Sequence, residues 1–91
     1  MEIEVGRITH YYDHLHVAVL SLQIGLKIGD TIHILGHLTD FTQRVTSMEV
    51  EHHSVVIVKP GDDVALKVIE PVRVHDRVYR VVQGMTEPIA A

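Results

Sequence analysis

Gly29-Asp30 ends a turn and hands the chain directly to Thr31-Ile32-His33-Ile34-Leu35, where polar and apolar side chains alternate. Alternation at period two puts Ile32 and Ile34 on one face and His33 on the other, the pattern of a half-buried strand. Gly25 and Gly29 supply backbone angles that residues with a Cβ resist. The device recurs. Lys59-Pro60-Gly61-Asp62 is a strong turn, and Val64, Leu66 and Val68 then alternate with Ala65 and Lys67. A chain punctuated in this way folds into short strands.

The other segments follow the same rule. Residues 2–12 read as a first strand whose phase slips at Gly6, which marks a β-bulge or a barrel corner. Residues 14–22 alternate, with Leu15, Val17 and Val19 on one face and His14, His16 and Ala18 on the other. Gly36–Asp40 is a hairpin loop. Thr42–Glu51 returns as a strand carrying a second phase slip near Ser47. His52-His53-Ser54 interrupts the pattern, and Val55–Val58 is a short apolar strand or strand-like connection. Pro71 breaks the next run, Val72 and Val74 alternate with Arg73 and His75, and Val78–Val82 is the closing strand. No window shows helical periodicity with caps, and there is no internal repeat. One domain over residues 1–83 with a flexible tail at 84–91 is expected.

Composition agrees. Valine and isoleucine number 24, against seven leucines and four alanines, and such stiff β-branched side chains suit a pleated sheet. There is no cysteine, so a disulfide frame and thiolate metal ligation are both excluded. No stretch approaches the ~20 apolar residues of a membrane helix, and the acidic, alternating N-terminus is unlike a targeting signal. A cytoplasmic protein without a membrane partner is expected. The formal charge of −4 argues against broad binding of polyanions.

Four clusters are candidates for function. His10, His14 and His16 lie close together, and the last two share parity at a spacing that can place two imidazoles on one metal. His33 and His37 flank a turn, and His52-His53 is an adjacent pair. Arg73, Arg77 and Arg80 fall within eight residues, with Tyr79 between the last two. Arginine beside tyrosine can grip phosphate and stack on a base, which makes these four the candidate RNA or partner contacts. Asp62-Asp63 reads as turn chemistry and not as a catalytic carboxylate pair. Ile24, Ile28, Val55–Val58 and Val81 exceed what a small interior needs and mark an apolar surface for a protein partner or a second copy. No nucleophile turn is present, so no catalysis is expected. No cofactor is expected either.

The order of these elements resembles the β-barrel second domain of translational GTPases, the elongation and initiation factors. Val5-Gly6-Arg7-Ile8-Thr9, Leu26-Lys27-Ile28-Gly29-Asp30-Thr31-Ile32-His33-Ile34, Arg44-Val45-Thr46-Ser47-Met48-Glu49 and Lys59-Pro60-Gly61-Asp62-Asp63-Val64-Ala65-Leu66 carry the likeness. The chain also resembles barrels appended to peptidase-like and RNA-modifying enzymes. The resemblance implies a closed six- or seven-stranded antiparallel Greek-key barrel. It also implies a non-catalytic module that contacts RNA, the ribosome or a protein partner. A protein-interaction or oligomerisation module without RNA contact, and a histidine metal-binding barrel, are the alternatives. The phosphate-binding loop of nucleotide hydrolases is absent, so no nucleotide is expected.

Overall fold

The computed structural model describes residues 1–82, and the expected tail at 84–91 lies outside them. Among the described residues ten strands form: β1 (Glu2–Tyr12), β2 (Val17–Leu22), β3 (Leu26–Lys27), β4 (Thr31–Leu35), β5 (Asp40–Arg44), β6 (Met48–Val50), β7 (His53–Val55), β8 (Ile57–Val58), β9 (Asp63–Lys67) and β10 (Arg77–Val81). Eight of them make one antiparallel sheet in the order β5-β4-β10-β1-β2-β9-β6-β7, and β3 pairs with β8 in a separate ribbon.

Register explains the core. Phe41, Ile34, Val78, Gly6 and Leu22 are successive cross-strand partners. So are Ile8, Leu20 and Val64, and so are Ala18, Leu66 and Met48. All of these are buried, because residues directly opposite one another share a face. The expected slip in β1 is a bulge between Glu4 and Gly6, and a second follows between Ile8 and His10. At the first, the chains approach so closely that a Cβ on Gly6 would clash with the Ser21 carbonyl oxygen.

The expected closed barrel is not found: β5 and β7 remain unpaired with each other at the two ends of the sheet. The long return strand expected over Thr42–Glu51 is instead β5 and β6, separated by residues 45–47, which lie outside any strand. A side chain spans the gap where a strand ladder would close a barrel. Gln43 of β5 donates from Nε2 to the Lys67 carbonyl (2.9 Å), and its Oε1 accepts from the Ile69 N–H (2.8 Å). The curled sheet is thus tied by one buried amide.

Three turns share one construction. In Lys27–Asp30, Lys59–Asp62 and Arg73–Asp76, the aspartate N–H donates to the carbonyl of the basic first residue. The aspartate Oδ2 accepts from that residue's own N–H, at 2.9, 3.1 and 2.9 Å respectively. The third residue has φ of +95° at Gly29, +94° at Gly61 and +83° at His75, the angle a type II turn requires. Each turn then grips one buried apolar residue of a neighbouring segment. Val45, Leu22 and Ile8 each donate to the aspartate carbonyl and accept from the N–H of the third residue. This recurrence escaped the sequence reading because histidine stands where its two counterparts have glycine.

Candidate functional site

The arginine cluster is divided by the sheet. Arg77 is opposite Leu35 and Arg7, and Tyr79 is opposite His33 and Glu4, so both face outward. Arg80 is opposite Ile3 and buried Ile32 and therefore lies on the core side. Arg73 is outside β10, in the third turn, so the continuous extended run that would align it with Arg77 and Tyr79 is broken. Arg77 Nη1 is 4.0 Å from Glu4 Oε1. Arg80 enters a cleft of about 220 Å³ at the end of the sheet, lined by Leu26, Lys27, Asp30, Ile57 and Val58. There its Nη1 donates a long bond to the Gly25 carbonyl (3.4 Å), beside the Lys27–Asp30 ion pair (2.8 Å).

The histidines go to separate tasks. His10 is on β1 with its ring against Tyr12, centroids 4.2 Å apart. His14 and His16 are not on a strand but in the turn before β2, where His16 has φ of +57°. That turn leaves Leu15 exposed, and the buried face of β2 is Ala18, Leu20 and Leu22. Glu51 and His52, both with positive φ, make the two-residue hairpin between β6 and β7. Among the described residues no three His, Asp or Glu side chains are grouped so as to hold a metal ion.

His33 joins three strands. Its Nδ1 lies 3.0 Å from both Glu2 carboxylate oxygens on β1, and its Nε2 lies 2.7 Å from Asp40 Oδ1 on β5. With two carboxylates on its two ring nitrogens, the imidazolium is favoured. The Glu2 hydrogen bond and then that of Asp40 raise its pKa above the usual 6.5.

The apolar surface read from sequence is present in part. Val56 is 71% and Ile57 66% exposed, with Ile24 also exposed, whereas Val58 is buried and Val55, Ile28 and Val81 are half-buried. Ile57 forms the rim of the Arg80 cleft. A second concavity, of about 330 Å³, lies on the outer face under the third turn and is lined by Arg7, Thr9, Ser21, Gln23, Val74 and His75. Sequence reasoning missed it, since only the pairing of β1 with β2 and the docking of the third turn on Ile8 bring these residues together.

The fold is shared with a domain of known structure. The C-terminal domain of a Geobacillus thermoleovorans protein assigned as a U32 peptidase superposes with a TM-score of 0.81 at 18% identity, over 86% of this chain and 91% of that one. Its selenomethionine variant gives 0.79 at 19% identity, over 82% and 95%. In sequence, the chain is 43% identical over 79 residues to an uncharacterised protease of Methanocaldococcus jannaschii. The match takes in 86% of this chain but 19% of the relative, so the chain spans about a fifth of the length of the curated relative it matches. No protein-family model matches.

These findings overturn the translation-factor resemblance and the RNA- or ribosome-binding function drawn from it. The glycine-aspartate turns that carried the likeness are a general way of starting a strand, and they recur here in a chain that matches a segment of an uncharacterised protease in sequence and the C-terminal domain of a U32 peptidase in fold. No helix among the described residues is long and apolar enough to cross a membrane.

Proposed function

We propose that the chain is a non-catalytic accessory domain of a U32-type peptidase, which contributes to polypeptide binding while a separate catalytic body cleaves. The observation that carries this reading is the 43% identity to one short segment of a much longer protease. The chemistry of the domain supports it. The chain has no cysteine, and among the described residues the histidine with the strongest polar contacts, His33, has both ring nitrogens engaged by carboxylates. An imidazolium held in that way has no free lone pair with which to act as a general base. Val56 and Ile57, beside the Arg80 cleft, form the surface this reading assigns to contact with the catalytic body.

The test is to remove the matching 79 residues from the Methanocaldococcus relative and measure hydrolysis of a long and a short peptide. The same truncated protein is then assayed with this chain in the segment's place. The expected result is a rise in KM for the long peptide of about tenfold, a kcat for the short peptide unchanged within about twofold, and recovery on replacement. Peptide hydrolysis by this chain alone, or a truncation that changes neither constant, would overturn the proposal.

A further inference from the structure

We propose that the groove under the third turn is a binding site for an oxyanion, the carboxylate of a polypeptide or a free tetrahedral anion. The first observation comes from the turns themselves. Three of them have the same hydrogen bonds and the same positive φ at the third residue, and two use glycine there. The third uses His75, with φ of +83°, an angle at which a side chain is strained. Glycine would make this turn more easily, as it does at Gly29 and Gly61. What histidine adds is an imidazole, and that imidazole lines the groove.

The second observation is the charge on the outer face. Arg7 and Arg77 are direct cross-strand partners on β1 and β10. Like charges in that position repel, and an anion held between them removes the repulsion. Arg77 has Glu4 at 4.0 Å, whereas Arg7 has no ion pair among the described residues. Around Arg7 the groove offers the Ser21 hydroxyl, the Gln23 amide and the His75 ring, while the Thr9 hydroxyl donates to the Val19 carbonyl (3.2 Å). A guanidinium beside a hydroxyl, an amide and an imidazole is a set that binds oxyanions through charge-assisted hydrogen bonds. Asp63, the cross-strand partner of Ser21 on β9, puts a carboxylate on the same face and sets a limit on the groove's affinity for anions. This inference does not depend on the accessory-domain reading, since the groove would bind an oxyanion whatever the domain is attached to.

The experiment is an NMR titration of the 91-residue chain at fixed ionic strength with inorganic phosphate, acetate and an N-acetylated triglutamate amide. The signals read are the Arg7 and Arg77 Nε–H groups and the Ser21 and Gln23 amides. Saturable shifts at all four are expected. Triglutamate binding about tenfold tighter than acetate assigns the site to polypeptide carboxylates, and phosphate binding tighter than both assigns it to a free anion. Arg7→Gln should abolish saturation, and Asp63→Asn should tighten binding. His75→Gly is the deciding variant: its melting temperature should rise while its affinity falls. Shifts that do not saturate with any of the three, or a His75→Gly protein that melts higher and binds equally well, would overturn the proposal.

Discussion

At the residue scale, His33 makes stability depend on pH. Its side chain is only 18% exposed and is fixed between Glu2 and Asp40, so the folded state holds its proton more tightly than the unfolded chain does. With the folded pKa raised above 6.5, the contribution is complete below about pH 6.5 and is lost as pH rises through the folded pKa. The expected outcome is a melting temperature that falls as pH rises above about 6.5 in the native chain. His33→Gln should flatten that slope. Melting curves at fixed ionic strength check it, and an unchanged slope in the variant would remove His33 as the cause.

At the element scale, the three aspartate turns each start a strand and at the same time hold a neighbouring one. Asp76 is 5% exposed, and its carboxylate accepts from the Arg73 N–H. Asp76→Ala leaves that donor without its partner and should cost about 1–3 kcal/mol. Asp76→Asn keeps an acceptor and should lose less than half as much. Urea denaturation of the two variants separates a capping role from a purely charged one. The β6–β7 hairpin has the opposite design. Glu51 and His52 hold φ of +52° and +67° in a two-residue turn, the place where asparagine and glycine are favoured. Replacing the pair with Asn-Gly should raise stability by roughly 1–2 kcal/mol, read as a higher melting temperature.

At the scale of the whole molecule, Gln43 does the work of a strand ladder by bonding Lys67 and Ile69 across the open seam. Gln43→Leu leaves the Lys67 carbonyl and the Ile69 N–H without this partner and should cost roughly 1–2 kcal/mol. Hydrogen exchange should then rise first at the Ile69 amide; uniform acceleration across the sheet would show instead that the seam is not a separate weak point. Val56 and Ile57 carry the opposite expectation. Both are exposed, so the double change to serine should alter stability by less than about 0.5 kcal/mol while weakening association with a catalytic body, measured by calorimetry.

Strands, turns and most of the core were legible in the residues. Period-two alternation is local, so Ile32, Ile34, Val64 and Leu66 face inward as their spacing requires, and the Gly6 bulge follows from a phase slip visible in the sequence. Other features were decided only when distant segments met. Arg73, Arg77, Tyr79 and Arg80 are near neighbours in the chain, yet a turn removes Arg73 and the pleat of β10 puts Arg80 on the face opposite Arg77 and Tyr79. Arg7, Ser21 and His75 are far apart in the chain, and the pairing of β1 with β2 and the seat of the third turn on Ile8 gather them. Closure was likewise beyond the sequence, because whether a curled sheet ends in a ladder or in one glutamine amide depends on where its first and last strands come to lie. The sequence by itself determined what each short segment becomes, since that depends on backbone angles and alternation within a few residues. The tertiary structure alone decided which side chains share a surface, since that depends on register between strands far apart in the chain.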